Sequence, residues 1–121
     1  EIFYARTRLI VAARASGIDV IDTPFTDTDD LEGLKKDASF ARSLGFSGKA
    51  VISPRHLETV NQVFSPGEKE ILWAKDVMAV IAEGKRLGKG AVSLHGKMVD
   101  KPIVMRAEQI LATARAIEEV R

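Results

Sequence analysis

Gly45-Phe46-Ser47-Gly48-Lys49-Ala50-Val51-Ile52-Ser53-Pro54 limits the choice of folds more than any other stretch, because loop, strand and helix signals meet in it. Ala50-Val51-Ile52 is a short apolar run with two β-branched residues, bounded by glycines before it and Ser-Pro after it. Such a run suits a central strand of a parallel sheet and is too short for a helix. Ser53 can accept a hydrogen bond from the first free N–H groups of a helix, and Pro54 fits the first helical position, where its missing donor is no loss. The carboxyl end of the strand therefore faces a helix start. In α/β architectures ligands bind at that end, which makes Ile52, Ser53 and Pro54 candidates for a pocket wall.

The rest of the chain alternates in the same manner. Apolar Ile2, Ala5, Leu9, Ala12 and Ala13 recur at helical spacing up to Ser16, and Gly17 is placed to end that helix. Asp19–Thr23 reads as a strand that Pro24 terminates, since proline cannot donate to a ladder. The cap-forming cluster Thr26–Asp30 precedes a second helix, predicted from about Asp30 to Leu44, which leads into the second strand, Lys49–Ile52. Strand, crossover helix and strand make a βαβ unit with two adjacent parallel strands. A short helix with Leu57, Val60, Val63 and Phe64 follows. Ser65-Pro66-Gly67-Glu68 then has the spacing of a capping box with Pro66 at the first helical position, opening a helix whose stripe is Ile71, Ala74, Met78, Ile81 and Ala82. Gly88 and Gly90 break that helix as a hinge. Ala91–Asp100 reads as a small hairpin turning at His95-Gly96, and a last helix begins near Asp100 with Ile103, Ala107, Ile110, Ala114 and Ile117 on one face.

At 121 residues with 45% apolar content, the chain has the size and composition of one packed globular domain. A net charge of +1, with 29% charged residues of both signs, provides no basic field for nucleic acid or anionic membrane. No apolar run approaches the roughly 20 residues of a membrane span. The absence of cysteine excludes disulfides and thiolate chemistry and fits a cytoplasmic location. A pair of parallel strands is marginal by itself and needs cover on both faces, so the sheet is expected to be completed by missing chain or by further copies. The start at Glu1 rather than Met leads to the same expectation, a fragment or processed chain. The order helix, strand, helix, strand, helix is compatible with the end of a (β/α)₈ barrel or with part of a doubly wound sheet.

Tyr4-Ala5-Arg6, Ala12-Ala13-Arg14-Ala15-Ser16-Gly17-Ile18, Leu44-Gly45-Phe46-Ser47-Gly48-Lys49, Ile52-Ser53-Pro54, Val60-Asn61-Gln62-Val63-Phe64-Ser65-Pro66, Gly88-Lys89-Gly90-Ala91 and Gly96-Lys97-Met98-Val99-Asp100-Lys101-Pro102 resemble the C-terminal part of the citrate lyase β-subunit family, within the HpcH/HpaI aldolase superfamily. The resemblance implies an α/β fold: the C-terminal part of a TIM barrel over 1–64, with Asp19–Thr23 and Lys49–Ile52 as strands seven and eight. It implies a C-terminal helical extension with a short hairpin lid over 65–121. The implied activity is that of a Mg²⁺-dependent lyase that splits a citryl, malyl or citramalyl thioester into an acetyl thioester and an oxo acid. The thioester would be carried on coenzyme A or an acyl carrier protein, and the enzyme would be a homo-oligomer, trimer or hexamer. The family's metal ligands are expected upstream of Glu1, with no metal site in this segment, so the isolated segment is expected to be inactive.

Asp100 matches the acid/base carboxylate of the family's C-terminal motif, which is implied to reach a neighbouring subunit's active site; the same residue, before Lys101-Pro102, is also a standard helix cap. Asp22, at a strand end, and Pro24 would shape the pocket with Ile52, Ser53 and Pro54, while Asp22 could equally tie its own loop. Asp27, Asp29 and Asp30 lack the glycine and terminal Glu of a calcium loop and read as caps. His56 and His95 stand far apart without metal-binding spacing and are expected to be solvated. The family often carries His or Asn where Ser53 stands, and Asp or Asn where His95 stands. The alternative function is a non-catalytic assembly module that lacks the metal site and packs against a barrel or against copies of itself.

Overall fold

The computed structural model describes residues 2–121, which form two compact units, 2–64 and 65–121. The first contains α1 (Phe3–Ala15), β1 (Ile21–Asp22), α2 (Leu31–Leu44), β2 (Gly48–Lys49), a 3₁₀ turn (Pro54–His56) and α3 (Leu57–Phe64). The second contains α4 (Glu68–Arg86), β3 (Ser93–Leu94), β4 (Lys97–Met98) and α5 (Lys101–Val120). Helix and sheet are mixed, as expected for an α/β chain.

β1 and β2 pair in parallel, Ile21 opposite Gly48 and Asp22 opposite Lys49, with α2 between them in sequence. Flanking bonds from Ser47 N to Val20 O at 2.8 Å and from Ala50 N to Asp22 O at 3.0 Å extend the contact by a residue at each end. Pairing therefore centres on Gly48–Lys49, at the start of the expected strand Lys49–Ile52 and short of its end. The cause lies in the partner: Pro24 has no N–H, so the ladder cannot continue past Asp22. Asp30 caps α2 by accepting from Gly33 N at 2.8 Å. At its other end Gly45 adopts φ +110°, a left-handed conformation that suits glycine and lets its N–H and that of Phe46 close on Arg42 and Ala41.

Ile10, Ala13, Val20, Ala41 and Phe46 form the core of this unit, with Leu44 and Phe64 against it. Only Ile10 and Ala13 of α1 are buried, so most of the predicted stripe, Ile2, Ala5, Leu9 and Ala12, lies open. α1 is apolar on more than one side, and the unit covers only the side that carries Ile10 and Ala13. Helix α2 is tied to α3 by Arg42, whose Nη1 donates to Val63 O at 2.9 Å.

In residues 65–121 the core is Ala74, Val77, Val99 and Ala107, surrounded by side chains that include Trp73, Met78, Ile81, Val92, Ile103 and Ile110. α4 starts at Glu68 with Gly67 as its cap, not at Pro66 with Ser65. Glu70 Oε2 accepts from Gly67 N at 2.9 Å, and the Glu68 and Glu70 carboxylates both sit in the first turn, where the helix dipole favours them. Ala82 is exposed, while Val77 and Gly84 take buried places on α4. The predicted hairpin forms: Ser93 pairs with Met98 and Leu94 with Lys97, antiparallel, around His95 and Gly96 at φ +50° and +75°. Positive φ at both central residues matches the twist of a two-residue hairpin turn.

Candidate functional site

The strand register places Asp22 and Lys49 side by side at the carboxyl end of the parallel pair. The Lys49 side chain is 1% exposed, and its three N–H donors have three acceptors: Asp22 Oδ2 at 2.9 Å, Thr23 O at 2.7 Å and Asp37 Oδ2 at 2.5 Å. The other oxygen of Asp22, Oδ1, accepts from Arg6 Nη2 at 3.1 Å. The Arg6 guanidinium also lies over the rings of Phe46 and Phe40, at 5.4 and 5.8 Å from their centroids. Burial alone would push the Asp22 carboxyl up. The hydrogen bond and charge of Lys49, the Thr23 main chain and the charge of Arg6 outweigh it and hold the carboxyl below its ordinary value. Asp22 is thus buried and ionised, and both its oxygens are engaged by cations from other elements, Lys49 of β2 and Arg6 of α1.

Pro24 is half-buried. Ile52 is 58% exposed and Pro54 is exposed, while the Ser53 hydroxyl oxygen accepts from Arg55 N at 3.3 Å and caps the 3₁₀ turn. Ile52 and Pro54 thus present an open apolar rim just beyond the strand end. Asp27 and Asp30 cap and tie their own loop, and Asp29 pairs with Arg55 at 2.7 Å, as their sequence context suggests. His95 is exposed. His56, expected to be solvated, is instead 0% exposed, and neither ring nitrogen has a hydrogen-bond partner among the described residues. Its position in the turn that follows Ser53-Pro54 points the ring inward, with Phe25 at 6.5 Å between centroids.

Asp100 stands in the other unit, exposed, between β4 and α5. Its Oδ1 accepts from Ile103 N at 3.1 Å, the cap that the sequence predicts. Among the described residues nothing bonds Oδ2.

Lys49 and Asp37 are the residues that sequence reasoning passed over. The available signal was a charge at the head of an apolar run, at the same register position as Asp22 in the neighbouring strand. Among the described residues no group of three His, Asp or Glu side chains could hold a metal ion, and no helix is long and apolar enough to cross a membrane.

Residues 1–54 match the family model described as HpcH/HpaI aldolase/citrate lyase. Over 116 residues the chain is 46% identical to the citrate lyase subunit beta of Leuconostoc mesenteroides subsp. cremoris, covering 96% of this chain and 38% of that protein. Over 119 residues it is 37% identical to the mitochondrial citramalyl-CoA lyase of Rattus norvegicus, covering 98% of this chain and 35% of that one. Among solved structures, protein CitE from Mycobacterium tuberculosis, crystallised in complex with magnesium, acetoacetate and coenzyme A, superposes with a TM-score of 0.75 at 31% identity. That superposition covers 93% of this chain and 40% of CitE. The chain spans between a third and two fifths of the length of these relatives.

Proposed function

We propose that the chain belongs to the HpcH/HpaI aldolase/citrate lyase family and is a working part of a lyase that cleaves a carbon–carbon bond in a hydroxyacyl thioester. The observation that carries the proposal is the likeness of almost the whole chain, in both units, to a citrate lyase subunit beta and to a citramalyl-CoA lyase. The substrate class is a citryl, malyl or citramalyl thioester, carried on coenzyme A or on a carrier protein, and CitE supports the former by binding coenzyme A. The enzyme works in the cytoplasm as a homo-oligomer.

In this proposal β1 and β2 are the seventh and eighth strands of a (β/α)₈ barrel, and residues 65–121 are a helical extension whose hairpin serves as a lid. The parallel pair with its intervening helix supports the placement. The Mg²⁺ ion present in the CitE structure is also this enzyme's cofactor, with its ligands assigned, by the family resemblance, upstream of this segment.

Cleavage begins when a general base outside the described residues takes the proton of the substrate hydroxyl, whose electrons form the carbonyl of the oxo acid. The carbon–carbon bond breaks, and its electron pair passes to the acetyl thioester as an enolate. Asp100 delivers a proton to the enolate carbon through the oxygen that the helix cap leaves open. Asp22 cannot share this work, because Lys49 and Arg6 hold it ionised; it fixes the strand end while Pro24, Ile52, Ser53 and Pro54 form the wall.

The full-length protein, given citryl, malyl and citramalyl thioesters with Mg²⁺, is expected to release an oxo acid from at least one of them and to stop when the metal is chelated. Exposed apolar side chains such as Tyr4, 70% open, and Val11, 66% open, favour a second reading, in which the chain is a non-catalytic assembly module. Turnover of none of the three substrates would support that module instead.

A further inference from the structure

Gly84 is the one glycine inside α4, it is buried, and glycine in a helix interior weakens the helix relative to alanine. The structure shows what the missing side chain makes room for. A Cβ at position 84 would stand 2.3 Å from Val92 Cγ1, far inside the roughly 3.5–4.0 Å of a normal carbon contact. Val92 therefore rests directly on the bare helix backbone, and its branched side chain has little rotamer freedom with which to yield. From that seat the chain is tied step by step to Asp100. Val92 O accepts from Val99 N at 3.0 Å, one rung beyond the β3–β4 ladder. Val99 is itself buried with Ala74, Val77 and Ala107. Asp100 is the next residue, and it caps α5.

We propose that Gly84 is a positioning residue: the depth of the Val92 seat on α4 sets where the hairpin lies and where its exit holds the Asp100 carboxylate. The consequence for turnover rests on the acid/base reading of Asp100; the consequence for the hairpin does not. A glycine that merely interrupts a helix predicts that alanine stabilises the protein and leaves turnover alone. A seat predicts the opposite, and it predicts repair when the methyl is taken from the other side.

The test compares Gly84→Ala, Val92→Ala and the double variant in the full-length enzyme by amide exchange at Val99 and by steady-state kinetics. Gly84→Ala is expected to speed Val99 exchange and to lower kcat, each by about tenfold or more, with KM nearly unchanged. The double variant is expected to restore slow exchange and most of the turnover. If Gly84→Ala does not fold, a folded and active double variant supports the seat equally, and Val92→Ala alone is expected to loosen Val99. Wild-type exchange at Val99 in Gly84→Ala, or a double variant no better than the single, overturns the proposal. Asp100→Asn in the same assay separates the two readings. If that variant keeps wild-type turnover the acid/base role fails, while the exchange data still decide the seat.

Discussion

Residues 2–64 and 65–121 differ in what they bury. In the first, the ammonium of Lys49 and the carboxylate of Asp22 are enclosed and fully engaged, and the His56 imidazole is buried with no hydrogen-bond partner among the described residues. In the second, the buried positions on α4, α5 and their hairpin are apolar side chains and a glycine, and the ion pair of Glu83 with Arg86 lies on the surface. Buried charges fix one arrangement but fail together when one is removed, whereas a small apolar core fails in proportion to the volume lost. Unit 1 should therefore be brittle and acid-sensitive, and unit 2 tolerant of charge changes.

The largest break is expected from Lys49→Met, which leaves Asp22 and Asp37 facing each other without their shared cation. Removing one partner from a buried pair costs about 3–5 kcal/mol, to be read in the full-length protein from amide exchange at Ala38 and Ala41 in α2. A loss under about 1 kcal/mol, the scale of a surface pair, would erase the contrast between the units.

His56→Leu acts in the other direction. Its two nitrogens are buried without partners among the described residues, and an unsatisfied buried group costs about 1–3 kcal/mol, so an apolar side chain of similar size should raise stability by an amount of that order. Thermal unfolding measures it, and a lower Tm would show that the ring has a partner in the intact protein.

Acid gives a smaller test. The Asp22 carboxyl is held below its ordinary value in the folded state, so its contribution is whole above the ordinary carboxylate range and is lost as pH falls through the depressed folded value. Unit 1 amides should lose protection in that acid window, and Asp22→Asn, although less stable at neutral pH, should flatten this part of the profile. The smallest effect is expected from Glu83→Gln. The exposed Arg86 guanidinium hydrogen-bonds Glu83 and lowers its carboxyl, but solvent screens the pair, so exchange at Ala74 and Val77 should not move measurably.

What could be read from the sequence follows the same division between local and distant chemistry. Caps at Asp30, Ser53 and Asp100, the His95-Gly96 turn and the helix between two parallel strands are determined by residues within a few positions of one another, and all of them form. The strand's restriction to Gly48–Lys49 depends on Pro24 in its partner, which a local reading of Ala50–Ile52 ignores. The Asp22, Lys49, Asp37 and Arg6 cluster joins four stretches of chain, α1, β1, α2 and β2, which the fold alone brings together. The exposure of most of the α1 stripe and the inward turn of His56 likewise depend on what surrounds each element, which periodicity does not contain. At the candidate site, the Asp100 cap was visible locally, while its acid/base role came from family resemblance.

Asp100→Asn in the full-length enzyme tests the central claim most directly, because asparagine caps a helix about as well as aspartate but cannot deliver a carboxyl proton. The account predicts a fall in kcat of about 10²–10⁴-fold with KM and Tm nearly unchanged, on whichever thioester the wild type cleaves. Wild-type turnover in Asp100→Asn, with Asp100→Ala losing only the roughly 1 kcal/mol of a helix cap, would contradict it and leave this carboxylate as a cap alone.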